Sequence, residues 1–267
     1  MNVRKVCCFV ICAGAPAAAQ INYFNTDRPY QATLCCPYNV SGLGVELTFA
    51  LADADAARLE LPVSVYWGII GNLEIGFRAA GASVSRGDES IRGMTDAVLG
   101  AKYGLYRENQ EQPGPFPTVS VEFCAVVPTG DYRKGFGTGG MGFVFNALLE
   151  KRIVLRSGVA FTLFLNGGYR ANTTNGDGWL FGNETFYGMG GSLPLSERFV
   201  SSAGVRGTAR NTTHLDGRAV DGTGGTESYL FAGLSYDFDV YRRFFTAMHF
   251  GIDEGSDMVR FTAGMMY

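Results

Sequence analysis

The sequence predicts an all-β protein, a transmembrane antiparallel β-barrel of about twelve strands of the outer-membrane type. Three observations predict it. Apolar and polar residues alternate with period two in segment after segment, no later stretch approaches the roughly eighteen consecutive apolar residues of a membrane helix, and the links between segments are alternately short and long. Composition agrees. The 267 residues include 37 Gly, 20 Phe and 13 Tyr, with 18% charged and a formal net charge of -3, the profile of many short strands joined by tight turns. No run of Lys or Arg lies beyond the extreme N-terminus, so no nucleic-acid partner is expected.

Residues 1–19 read as a cleavable export signal. Arg4 and Lys5 supply the positive n-region, Val6 to Ala15 the short apolar region, and Ala17, Ala18 and Ala19 the small side chains before cleavage at Gln20. The apolar stretch is too short to span a bilayer as a helix. Val10 and Ile11 precede Cys12 where a lipoprotein signal needs a small pair, which disfavours lipidation. Cleavage leaves Cys35, Cys36 and Cys124, an odd set with no CxxC and no Cys/His cluster, so neither a disulfide framework nor a metal or other cofactor is expected. Residues 20–40 then form an N-terminal periplasmic segment or plug, and 41–267 the barrel.

The strands follow in order. Val45, Leu47, Phe49 and Leu51 alternate with polar or small residues, as do Leu61 to Trp67, Leu73 to Ala79, Ala97 to Tyr103, Val119 to Ala125, Phe143 to Leu149 and Val159 to Leu165. Weaker alternation runs through Tyr187 to Leu193 and Phe199 to Val205, and clear alternation through Leu230 to Phe238, Phe244 to Ile252 and Val259 to Tyr267. Each segment has roughly the nine to eleven residues that a tilted strand needs to cross a bilayer. Short, periplasmic links are expected at residues 70–72, 150–152, 194–198 and 239–243, and longer external ones at 52–58, 83–93, 129–140, 171–183 and 211–226. Residues 108–117, a long periplasmic link, and 253–257, a short external one, break the rule. Residues 135–142 superficially match a nucleotide-binding glycine loop, but a strand follows them and no βαβ unit does, so they read as an external loop.

The second face of each strand carries Gly, Ser, Thr and Asn with one or two charges. A soluble sandwich would present a more highly charged polar face to water, whereas this one suits a lumen. The predicted lumen lining is Glu46, Glu60, Glu74, Arg78, Asp96, Lys102, Glu122, Arg156, Glu184, Arg206, Asp237, His249 and Arg260. Both signs occur, so the charges are expected to pair across the wall, and strong selectivity for one sign of ion is not expected. Tyr66, Tyr106, Phe164, Phe186, Tyr229 and Phe231 fall on the same face, either as an apolar track for a solute, as packing in a narrow barrel or, with a register one residue off, as part of the aromatic girdles. Catalysis is not expected. His214 sits in a polar loop and His249 precedes Phe250 and Gly251, so neither has the His-x-Ser arrangement of barrel deacylases.

Three stretches resemble a bacterial family of outer-membrane transporters named for the meta pathway of phenol degradation. They are residues 25–29 (Asn-Thr-Asp-Arg-Pro), residues 93–105 from Gly93 through Thr95, Asp96 and Lys102 to Leu105, and residues 127–130 (Val-Pro-Thr-Gly). The resemblance implies a barrel in the bacterial outer membrane, surrounded by lipid, that passes small solutes, aromatic ones among them. The final strand, ending on Tyr267, resembles the signal read by the barrel assembly machinery, which would then be a partner. Asp96 and Lys102 lie roughly 20 Å apart along one strand and must find partners elsewhere, while Pro128 and Gly130 turn the chain. Asp27 and Arg28 are expected to tuck into the periplasmic mouth. The expectation for function is a passive channel for small, aromatic or lipophilic compounds, with a structural or surface-interaction barrel of blocked lumen as the alternative and a lipid hydrolase behind both.

Overall fold

The computed structural model describes residues 41–53, 56–109, 113–156, 158–238 and 242–266. The export signal, the 20–40 segment with Asp27 and Arg28, and Tyr267 lie outside the described residues. Strands β1 (Ser41–Asp53), β2 (Ala56–Ile70), β3 (Leu73–Arg86), β4 (Glu89–Met94), β5 (Ala97–Tyr106), β6 (Thr118–Val127), β7 (Gly142–Val154) and β8 (Ala160–Asn172) are followed by the two-residue β9 (Trp179–Leu180). Next come β10 (Glu184–Pro194), β11 (Phe199–Arg210), the short β12 (His214–Leu215) and β13 (Arg218–Ala219), then β14 (Gly225–Asp237), β15 (Arg243–Gly251) and β16 (Val259–Met266). Each long strand pairs antiparallel with its neighbours in sequence, and β16 pairs with β1, closing the sheet. With β4 and β5 acting as two halves of one staple, the wall is a twelve-stranded antiparallel barrel. The β16–β1 pairing closes the main wall, which a bilayer requires, while β4 pairs with β3 alone.

Period-two patterning decides which side chains face lipid. In β2 burial alternates without a break from Arg58 to Gly68, putting Leu61, Val63, Val65 and Trp67 outside and Glu60, Ser64 and Tyr66 inside. Even positions face inward through β11 except in β4, where the odd Gly93 opposes the inward Ala82; β14 and β15 use odd ones, and β16 returns to even. At the periplasmic edge Phe199, Tyr236 and Phe238 pack ring to ring on the outer face, with Phe199 and Tyr236 centroids 4.7 Å apart, as an aromatic girdle does. Among the described residues the one helical feature is the 3-10 turn Tyr132–Lys134 in the β6–β7 loop.

Three predicted links move. The stretch 83–93 is no open loop: β3 runs on to Arg86 and returns as β4 through the two-residue turn Gly87-Asp88, with Gly87 at a φ of 55°. Strand pairing runs through most of the 52–58 link, with Asp53 paired to Ala56. Residues 150–152 belong to β7, and the turn lies at 155–159. Alternation weakens once a strand clears the membrane, so the sequence pattern understates strand length.

Glycine places the interior aromatic rings. A Cβ on Gly42 would strike the Tyr66 ring at 2.2 Å, and Gly168 bears the same relation to Phe186, Gly190 to Phe164, Gly204 to Phe231 and Gly264 to Phe245. Each ring lies flat on the wall over a neighbouring strand's bare backbone instead of projecting across the lumen, the arrangement that rescues glycine in a sheet. Gly204→Val would drive a side chain into Phe231, so the urea-unfolding midpoint of the refolded barrel is expected to fall by the equivalent of about 1–3 kcal/mol. Gly81→Ala, with open space around its Cβ, serves as the control and is expected to stay within about 0.5 kcal/mol. Equal midpoints for both would show that the rings are not seated on glycine.

Candidate functional site

The interior surface of the barrel is the candidate site. Glu46, Glu60, Glu74, Arg78, Lys102, Glu122, Glu184, Arg206, His249 and Arg260 all sit on it and are buried, as are Tyr66, Phe164, Phe186, Tyr229 and Phe231. Four predicted members do not line it as foreseen. Arg156 is exposed in the β7–β8 turn, because β7 is longer than the pattern suggested. Asp96 is in the β4–β5 link, covered by the β6–β7 loop whose Gly130 and Thr138 N–H groups donate to it. Tyr106 turns outward against Phe116, because a register shift between Gly104 and Tyr106 reverses its face. Asp237 lies at the periplasmic rim, bridged by Arg243.

Charges pair along the wall. Lys102, with no exposed surface, stands directly between Glu74 on β3 and Glu122 on β6, 3.7 Å from the Glu74 Oε1, and Glu122 also accepts from Asn146 at 3.2 Å. Arg58 bridges to Glu60 along β2. In the external half Glu184 takes Arg210 at 2.7 Å and Arg170 at 3.9 Å, and Arg210 reaches on to Glu227. At the periplasmic end Lys151 holds the buried Glu108 of the long 107–117 link. Pairing of this kind offsets the cost of removing each charge from water.

An aromatic and cationic belt lies beside these pairs. Tyr229 on β14 has the Arg206 guanidinium carbon 5.2 Å and the Arg260 one 4.8 Å from its ring centroid, within cation–π range. Arg260 also donates to the Tyr229 Oη at 3.1 Å and bridges to Asp257 in the β15–β16 loop. His249 packs edge-on to Tyr229 and beside Phe231, which stacks with Phe164 at 6.2 Å. Glu46 is within electrostatic reach of Arg78 and also of Arg206, although β16, β15 and β14 separate β1 from β11 along the wall. Interior charges on strands that are not neighbours therefore lie within electrostatic reach of one another.

Arg58, Arg170, Arg210, Glu227 and Phe245 share the inward face but escape a reading of the sequence alone. Most lie in strand ends that extend past the alternating core; Phe245 carried a usable signal, the same parity as His249. On the external rim, burial pushes the Asp253 carboxyl up, but the hydrogen bonds it accepts from Ser256, Ser228 and the Gly255 N–H outweigh this and hold it below its usual range. Among the described residues no group of three or more His, Cys, Asp and Glu side chains is placed to hold a metal.

Residues 63–267 match the model of a protein family described as "Putative MetA-pathway of phenol degradation". Among solved structures, the COG4313 outer membrane channel from Pseudomonas putida F1 superposes with a TM-score of 0.75 at 14% identity, over 88% of this chain and 97% of that one. The NanC porin superposes with a TM-score of 0.51 at 10% identity, over 84% of this chain and 98% of the porin. Among curated proteins none matches the sequence. At these identities the structural likenesses show a shared outer-membrane barrel fold.

Proposed function

The chain belongs to the family described as the MetA pathway of phenol degradation, and from that premise we propose that its barrel is a narrow passive channel of the bacterial outer membrane for small, aromatic or lipophilic compounds. The observation that carries this reading is the ion-paired interior. Apolar residues of similar volume commonly give equal or greater stability than buried ion pairs, so stability alone does not call for a charged interior. An interior of paired charges instead offers a solute polar partners all along its path. The aromatic rings, flat on glycine, add an apolar surface without crossing the lumen. The structural neighbours, a channel and a porin, support the same reading. Membrane lipid on the outer face and assembly machinery reading the C-terminal strand complete it.

No residue in this reading carries out catalysis. His249 packs against Tyr229 and Phe231, with Arg206 and Arg260 within electrostatic reach, and serves the aromatic belt in this reading. A second reading, a barrel with a blocked lumen, is favoured by one observation: Lys102, Ser120 and Asn146 have no exposed surface at all. Refolded protein in a planar bilayer separates the two. The channel reading expects discrete current steps that added phenol or benzoate interrupts; steps indifferent to any aromatic solute would remove the solute class.

A further inference from the structure

We propose that the β6–β7 loop, residues 128–141, is the size-selective gate of this channel, latched in the lumen by Asp96. The inference rests on the channel reading above. Loops normally stay on the surface, yet this one turns in. Its 3-10 turn ends at Gly135, whose φ of 79° sends the chain back on itself, and the next residue, Phe136, is 2% exposed. Phe136 lies where a Cβ on Gly93 would point, 2.5 Å from its ring. Gly93 pairs with Ala82, an inward position of β3, and directly opposed residues of a strand pair share a face, so Phe136 sits inside the barrel. The inner wall of β5, β6, β7 and β10 carries an apolar cluster of Val98, Cys124, Val126, Val144 and Phe186.

The latch joins the two motifs of residues 93–105 and 127–130. Asp96 accepts from Gly130 N at 3.0 Å, Thr138 N at 2.9 Å and Thr138 Oγ1 at 3.3 Å. Thr129 Oγ1 accepts from Ala97 N at 2.8 Å and donates to the Thr95 carbonyl. Gly130 and Gly137 are bare where it matters: a Cβ on either would strike the Asp96 carboxylate. A second tie runs to the next external loop, where Arg133 bridges to Asp177 and Asn175 donates to the Thr138 carbonyl. Halfway round the barrel from β4 and β5 stands β14 with Tyr229, flanked by Arg206 and Arg260. A solute entering from outside passes between an apolar ring on one side and a cationic, aromatic belt on the other. That pairing fits a small compound with an apolar body and one anionic or hydroxyl group.

The test compares wild type with Asp96→Ala, which releases the latch, and Phe136→Ala, which removes only the ring, all refolded and checked for heat-modifiable migration. Both variants are expected to carry a severalfold larger unitary current and to admit a trisaccharide that wild type excludes in liposome swelling. Should Asp96→Ala fail to fold, Phe136→Ala decides alone. A silent wild type with conducting variants also supports the gate. Wild type and variants with one current and one size limit would overturn the gate and leave the channel reading standing; silence from all three folded barrels would overturn both.

Discussion

Replacing Lys102 by Met is expected to destabilise the barrel by about 3–5 kcal/mol, the range for removing one partner from a buried charged group. Lys102 is fully buried between Glu74 and Glu122, each its direct partner on a neighbouring strand. Without the ammonium two carboxylates face each other across β5 with Asn146 as a neutral neighbour. The loss should appear as a lower urea-unfolding midpoint in detergent or lipid. The double variant K102M/E74Q, which removes one of the two stranded charges, should recover part of it. A loss below about 0.5 kcal/mol, the size of an ordinary surface substitution, would mean that water already reaches this belt and screens it.

The second large effect belongs to the outer face. Val63 is on the lipid side at the middle of β2, between Leu61 and Val65. Val63→Arg is expected to cost about 2–4 kcal/mol, the penalty for a cation at mid-membrane depth on a barrel. The same change at Leu195, in the periplasmic turn after β10, should cost about 0–1 kcal/mol because the bilayer ends there. Refolding into lipid vesicles with denaturant titration measures both. If Val63→Arg were as mild as Leu195→Arg, the outer apolar face would not be meeting hydrocarbon.

Much of the wall was legible in the sequence because its cause is local. A strand with lipid on one side and a lumen on the other must alternate, so Leu61, Val63 and Val65 announce β2 and also announce that Glu60 and Ser64 face inward. Charged groups in the middle of such strands, from Glu46 to Arg260, could be assigned a side by parity alone. What escaped depends on register and on contacts between distant segments. Arg170 and Arg210 lie beyond the alternating core, where no bilayer enforces a pattern. Tyr106 was lost to one extra residue at a strand irregularity, which reverses every later side chain. The seating of Phe231 on Gly204 needs the β11–β14 register, which neither strand states by itself.

Asp96 is the instructive case. Its place near the start of β5 suggested a lumen charge in search of a partner, and its partners turned out to be backbone N–H groups of a loop more than thirty residues away. The motif around Thr95 and Asp96 and the one around Thr129 and Gly130 are two halves of one structure. The glycine-rich stretch that follows is not loose: Gly137 keeps the Asp96 carboxylate in reach, and Gly139, with a φ of 66°, turns beneath Tyr132.

Single-channel current from the refolded barrel in a planar bilayer tests the central claim most directly. Small, discrete steps are expected, because buried, charged side chains on strands that are not neighbours lie within electrostatic reach of one another along the interior. Persistent silence from wild type and gate variants alike, in protein shown to be folded and inserted, would contradict it and leave a closed barrel with another task.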